Sequence, residues 1–297
     1  MNPVDRRTFI GGSDIAAIVG CSPWTTPVQL WADKTNLENH TGQDKPVFRR
    51  GKKWESVVLE MLADQVAFDE TISVNEYVIH KTKPHLRAEL DAVVTRNAEL
   101  LNVEIKTVHP FKAKSWGQSP EDIPVYYTAQ VQWGLHISGR EKCLLGALFG
   151  ADELRVFEIT RDAEVGAWLE EQADFFWAQV QTKKPPLPVK SVDLDILHPK
   201  SVTGGVLVAD GELAEKSLEL RAVKAQIKAL ELELEALEYA VKRALGDNEE
   251  IIVDGVLCAS WKNRPWTRIN QTLLQQQAPG VHKQFTEKGV SRVFLIK

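Results

Sequence analysis

Leu100-Leu101-Asn102-Val103-Glu104-Ile105-Lys106-Thr107-Val108 is the stretch that decides how this chain is read. It is rich in β-branched and apolar residues, and residues 86–95 just before it have the same character. Arg96-Asn97-Ala98-Glu99 between them suggests a turn, so the two runs are expected to pair as a hairpin. Side chains alternate across a strand, which sends Glu104 and Lys106 to one side and Ile105 into the core. Asp91 lies on the neighbouring strand and can reach the same place. Two carboxylates so close repel each other unless a cation sits between them, and oxygen donors of this kind suit Mg²⁺. A water on such an ion can be deprotonated near neutral pH and attack phosphorus in line. Lys106 would stabilise the attacking hydroxide or the charge growing on the phosphoryl group.

Helical periodicity frames this hairpin. Residues 50–66 carry Trp54, Val57, Val58, Met61 and Leu62 at helical spacing. Residues 71–80 read as a strand, 125–138 as a helix, 142–149 and 153–159 as a second strand pair, and 162–181 as a helix rich in Trp and Phe. Near the start, Gly11-Gly12-Ser13-Asp14 leads into a short apolar helix with Ser13 as the expected N-cap. A further helix is expected from about Thr26. The order helix, strands, helix, strands, helix implies an α/β (α+β type) fold, a mixed central sheet flanked by helices.

Beyond about residue 205 the pattern changes. Leu213, Leu220, Ile227, Leu234 and Val241 recur every seven residues, and Val223, Leu230, Leu237 and Ala244 follow the last four by three. This is a heptad seam on a helix of about 50 Å. Residues 251–261 and 292–296 look like short strands. Two domains are expected: 1–204, and a helical and small β extension over 205–297.

Composition narrows the function classes. The 297 residues include 43% hydrophobic and 26% charged residues, ordinary values for a globular protein. No run is apolar enough to span a bilayer and no signal-peptide core follows Met1, so a cytoplasmic location is expected. Cys21, Cys143 and Cys258 are too dispersed for a disulfide framework, a zinc cluster or an iron–sulfur centre, and are expected to be buried thiols. The net charge of −5 gives no support to nucleic-acid binding, though basic residues bunch at Arg49, Arg50, Lys52 and Lys53, at Lys81, Lys83 and Arg87, and at Lys112 and Lys114. His109 and His136 show no metal-ligand spacing and are expected to be plain polar residues. Trp54, Trp168 and Trp177 are assigned to packing. Trp24, in a loop after Ser22-Pro23, is a candidate to stack on a base or wedge a strand end.

Two further features join the acidic pair. Glu55 lies on the upstream helix after Arg49-Arg50-Gly51-Lys52-Lys53-Trp54. Tyr127 and Gln130 share a face of the downstream helix through their i, i+3 spacing. The ordered set Glu, Asp, Glu-x-Lys, Gln resembles the PD-(D/E)xK nuclease superfamily and, within it, the lambda-exonuclease-like branch of YqaJ-type viral recombinases. The segments carrying the resemblance are residues 10–20, Ser22-Pro23-Trp24, Arg50-Gly51 with Trp54-Glu55, Glu104-Ile105-Lys106-Thr107, and Ile123-Pro124 followed by Tyr127, Gln130, Val131 and Gln132. Phe294-Leu295-Ile296-Lys297 also looks like tails of some members. One departure is Asp91-Ala92, where many members have Asp-Gly; no catalytic consequence is expected, but a different turn after Asp91 is.

The resemblance implies a restriction-endonuclease-like core and a set of roles. Asp91, Glu104 and the backbone carbonyl of Ile105 would bind Mg²⁺, with Mn²⁺ as a substitute. Lys106 would act on the attacking water, Glu55 would serve the metal from its helix, and Gln130 would orient Lys106 or the water. Arg6 and Ser13 would lie near a 5′-phosphate, an idea supported by the free N–H groups at a helix start. An ordinary capped helix start explains the same residues equally well. The implied activity is 5′-to-3′ exonuclease action on double-stranded DNA ends in phage-type recombination. The implied partners are a single-strand annealing protein and further copies of the chain, often in a trimeric ring. A structure- or site-specific endonuclease on the same fold and a non-catalytic DNA-end-binding scaffold are the alternatives.

Overall fold

The computed structural model describes residues 5–35, 46–287 and 294–295. The chain divides into two compact units, residues 1–198 and 199–297. In the first, five strands form one sheet in the order β1 (Glu70–Ile79), β2 (Arg87–Arg96), β3 (Glu99–Val108), β4 (Lys142–Phe149) and β5 (Glu153–Thr160). β2 runs antiparallel to both β1 and β3, β3 and β4 are parallel, and β4 and β5 are antiparallel. The parallel step requires a crossover, supplied by α4 (Val125–Ser138). The mixed sheet read from the element order is thus observed, as is the hairpin of β2 and β3. Its turn places Asn97 and Ala98 at φ 54° and 62°, the left-handed pair of a tight hairpin turn.

Strand alternation divides the core. Leu101, Val103 and Ile105 of β3 point to one face, where Val58 and Leu62 of α3 (Pro46–Gln65) cover them. Glu104 and Lys106 point to the other face, toward α4. There α1 (Gly12–Ile18), α2 (Pro27–Thr35), α4 and α5 (Ala163–Thr182) bury Ile15, Trp31, Trp133, Leu169 and Phe176. Close approach of α5 to α4 depends on Gly166, because a Cβ there would lie 2.5 Å from His136 Nδ1.

A buried ion pair ties the N-terminal segment to this layer. Lys34 Nζ donates to Arg6 O at 2.6 Å, Phe9 O at 2.7 Å and Asp14 Oδ2 at 2.7 Å. Asp14 Oδ2 also accepts the Gly11 N–H. Ser13 is therefore not the cap. The helix begins at Gly12, one residue before it, and the carboxylate of Asp14 takes the reciprocal bond. Lys34→Ala is expected to leave Asp14 buried and unpaired and to cost roughly 3–5 kcal/mol, read by denaturant unfolding.

Some expectations are corrected. Trp168 is 49% exposed rather than packed. The inward face of α5 is Gly166, Leu169, Ala173, Phe176 and Val180, and Trp168 falls one position off it. Trp54 and Trp177 do pack against the core. Of the thiols only Cys143 is buried, while Cys21 is intermediate and Cys258 exposed.

The first unit closes with the short α6 (Ser191–Leu197). In the second unit, α7 (Gly211–Leu245) is one unbroken helix of 35 residues. β6 (Glu250–Val253) and β7 (Val256–Ser260) follow as a two-stranded hairpin. Residues 251–261 are thus two strands rather than one, because Asp254 and Gly255, at φ 52° and 79°, turn the chain. Of the strand expected at 292–296, residues 292, 293 and 296 lie outside the described residues, and 294–295 are not strand. No helix among the described residues is long and apolar enough to cross a membrane.

Candidate active site

The site forms where the β2–β3 ladder stops. The last pair toward the site is Ala92 with Val103. At the next position, the Asp91 carboxylate inserts and its Oδ2 accepts the Ile105 N–H at 2.7 Å. Asp91 is thereby fixed against the peptide that joins Glu104 to Ile105. Ala92, the residue that departs from the Asp-Gly of many relatives, continues β2 without a turn.

Glu104, Lys106 and Gln130 form a closed triangle. Lys106 Nζ donates to Glu104 Oε1 at 2.5 Å and to Gln130 Oε1 at 3.1 Å, and Gln130 Nε2 donates to the same Glu104 oxygen at 2.7 Å. The amide of Gln130 thus has both its ends used, which fixes its orientation. The ammonium of Lys106 also lies 5.3 Å from the centroid of the Tyr127 ring.

Electrostatics follow from burial and crowding. Glu104 is raised to about 7 on balance, and burial is the largest cause. Lys106 pulls it down, and the charges of Asp91 and Glu55 push it further up. Asp91 is raised by burial too, against Lys106 and the Ile105 N–H. Glu55, on α3, is raised by burial and then by Asp91, with Lys52 Nζ 3.3 Å away opposing. Burial alone would lower Lys106, but Glu104 and Asp91 outweigh it and hold the ammonium charged.

Sequence reading missed a fourth carboxylate. Glu89 adds its charge to both Asp91 and Glu55. Its signal was the i, i+2 spacing to Asp91 on β2, which places both on one face. Glu104 and Asp91 crowd the half-buried ammonium of Lys106, and Glu55 and Glu89 add their charge beyond them. That excess of negative charge and the all-oxygen donor set fit a hard divalent cation. Asp91 and Glu104 would hold it, with Glu55 and Glu89 at its margin.

The remaining residues named from the sequence gather around this centre. Arg6 Nη2 donates to Ser13 Oγ at 2.5 Å, and Arg6 Nη1 lies 3.7 Å from Glu89 Oε2. Gly12 packs on the triangle, since a Cβ there would meet Gln130 Cγ at 3.2 Å. The Arg6–Ser13 corner is therefore next to the acidic site. Trp24 is 66% exposed and sits edge-on to Tyr126, with centroids 4.9 Å apart, and 6.3 Å from Tyr127. This aromatic row runs from solvent to the ammonium of Lys106.

The histidines separate from the site. His109 caps the 3-10 turn Pro110–Ser115 by accepting the Phe111 N–H. His136 is more than a plain polar residue: His80, His136 and Glu170 bring three potential ligand atoms within 4.8 Å of one another. By composition the group could hold a divalent ion, but its hydrogen bonds describe an ion network. His80 Nδ1 accepts the N–H groups of Thr82 and Lys83, so its proton sits on Nε2, the atom facing Glu170. A metal would need that lone pair. Glu170 also receives Lys83 and His136 at 2.5 Å each, and these hold it at about 2 although burial alone would raise it.

The chain is 26% identical over 302 residues to the uncharacterized protein YqaJ of Bacillus subtilis (strain 168), covering 99% of this chain and 92% of that one. Among solved structures, an alkaline exonuclease (LHK-Exo) from Laribacter hongkongensis is 17% identical, with a TM-score of 0.49 over 60% of this chain and 91% of its own. A phage-related exonuclease from Haemophilus somnus 129PT is 13% identical, with a TM-score of 0.41 over 59% of this chain and 96% of its own. Residues 4–141, which include every residue of the acidic site, match the YqaJ-like viral recombinase domain. Through that segment the chain is similar to the YqaJ-like viral recombinases.

Proposed function

We propose that the protein is a Mg²⁺-dependent deoxyribonuclease that degrades double-stranded DNA from an end, 5′ to 3′, in phage-type homologous recombination. The observation that carries this reading is the Asp91 carboxylate seated on the Ile105 N–H, beside the Glu104–Lys106–Gln130 triangle. A divalent ion, Mg²⁺ or Mn²⁺, bound by Asp91, Glu104 and the Ile105 carbonyl would supply Lewis acidity to the scissile phosphodiester. The protein's own groups do the rest. Lys106 presents a proton donor and a fixed positive charge to the reacting oxygens. Gln130 holds that ammonium in place. Glu55 carries further negative charge to the site from α3.

Arg6 and Ser13, one residue inside a helix start, form a corner of the right chemistry for a terminal 5′-phosphate. Trp24 and Tyr127 offer stacking surface to the bases next to it. A phosphate held there and a scissile bond at Lys106 would favour ends over internal positions. In this reading, residues 1–204 are the nuclease domain and 205–297 an extension. The enzyme works in the cytoplasm of a bacterial or phage-infected cell, as a homo-oligomer such as a trimer, and hands its 3′ single strand to an annealing protein.

A covalently closed circular duplex tests the end requirement. With Mg²⁺ present, the linear form is expected to be digested and the circle to survive. Rapid cutting of the circle would make the protein an endonuclease on the same fold. DNA binding with no nucleotide release in Mg²⁺ would make it a scaffold.

A further inference from the structure

The seam of α7 carries an inference independent of the nuclease reading. Leu220, Val223, Ile227, Leu230, Leu234 and Leu237 alternate at spacings of three and four, and every one is between 37% and 62% exposed. Monomeric proteins rarely leave so continuous an apolar stripe in water. The spacing fixes the heptad: Leu220, Ile227, Leu234 and Val241 take position a, and Val223, Leu230, Leu237 and Ala244 take position d. The flanking e and g positions then follow as Lys224, Glu231 and Glu238, and as Glu219, Gln226 and Glu233.

These charges discriminate between orientations. In a parallel pair, each g position faces the e position five residues later in the other chain. Glu219 would face Lys224 favourably, but Glu233 would face Glu238, and Lys216 at position d would meet its own copy in the core. In an antiparallel pair centred between Ile227 and Leu230, every Ile227 packs on a Leu230, Leu234 on Val223, and Leu220 on Leu237. Lys224 and Glu231 then lie between the same two layers and face each other twice, and Gln226 faces Glu233. No like charges are opposed. Lys216 moves to the end of the seam, opposite Val241, where its ammonium can reach solvent.

Which charges are already engaged agrees with this choice. Glu219 is paired with Lys216 at 2.9 Å, and Glu238 with Lys242 at 2.6 Å, both within the helix. Lys224 and Glu231 enter no ion pair among the described residues. From the seam and its charges we infer that α7 is an interaction surface for a second copy of this chain, the two helices pairing antiparallel with Ile227 of each on Leu230 of the other.

Directed cross-linking of the full chain tests both the occupant and the orientation. In a Cys258→Ser background, a tagged Lys224→Cys chain and a differently tagged Glu231→Cys chain are co-expressed and oxidised. The antiparallel pair is expected to give the mixed disulfide. The combination of Glu219→Cys with Lys224→Cys is expected to give none above the background. The reverse pattern means a parallel pair, and no cross-link in either means that another partner or none covers the seam; either result overturns the proposal. Charge exchange supplies a second readout by sedimentation equilibrium. Lys224→Glu should weaken self-association through α7 roughly tenfold, and Lys224→Glu with Glu231→Lys should restore it. A double variant no tighter than the single one also overturns it.

Discussion

Lys106→Ala is expected to lower hydrolysis of linear duplex DNA by roughly 10²–10³-fold while leaving duplex binding within a few fold of the parent. The ammonium is half-buried and held by Glu104 and Gln130, and under the proposed function it acts on the reacting oxygens while most of the grip on duplex DNA comes from other residues. Its loss also leaves Glu104 and Asp91 crowded without their internal cation. The metal-free variant should therefore unfold more easily, and Mg²⁺ should recover part of that stability by replacing the lost positive charge. Gel-shift binding in Ca²⁺, single-turnover cleavage in Mg²⁺ and melting with and without Mg²⁺ separate these effects. Cleavage at the parent rate would remove Lys106 from the reaction.

The second large effect is pH dependence of metal binding. Glu104 sits at about 7 in the metal-free protein, against 4.5 for an ordinary glutamate, because it is buried among like charges. The folded state therefore holds a proton that the unfolded chain releases near 4.5. The stability this proton contributes is fully present below pH 4.5 and is lost as the pH rises through about 7. The metal-free protein should accordingly melt at lower temperature at pH 8 than at pH 5.5. A divalent ion must displace the proton, so apparent Mg²⁺ affinity should rise about tenfold per pH unit below 7 and level off above it. Titration calorimetry in buffers of different ionisation enthalpy would show proton release on binding at pH 6.5 and almost none at pH 8.5. A pH-independent affinity would mean that the ion binds elsewhere.

Much of this site was legible because strand alternation is a strong local rule. Glu104 and Lys106 had to share a face, and the turn at Asn97-Ala98 had to bring Asp91 alongside. Gln130 and Tyr127 shared a helix face by spacing alone. What escaped was set by contacts far apart in sequence. Lys34 reads as a surface lysine, yet it is buried because Asp14 and two carbonyls of the N-terminal segment converge on it. Glu89 carried its alternation signal beside Asp91, but only the fold brings α3 close enough for Glu55 to feel it. Ser13 looked like a cap because serine is a good one. Asp14 did the capping instead, which left the Ser13 hydroxyl to Arg6. The histidines showed no spacing, since His80, His136 and Glu170 come from three separate elements. The parallel register of β3 on β4 is equally hidden, because it depends on the length and packing of the α4 crossover.

The most direct test of the acidic site as a metal-dependent nuclease centre is digestion of a linear duplex labelled at one 5′ or one 3′ terminus. The parent protein and Asp91→Asn would each be assayed with Mg²⁺ and with chelator. The parent is expected to release the 5′ label early, only when Mg²⁺ is present, and Asp91→Asn is expected to lose that release. Equal release in chelator, or an Asp91→Asn protein that digests like the parent, would contradict this expectation.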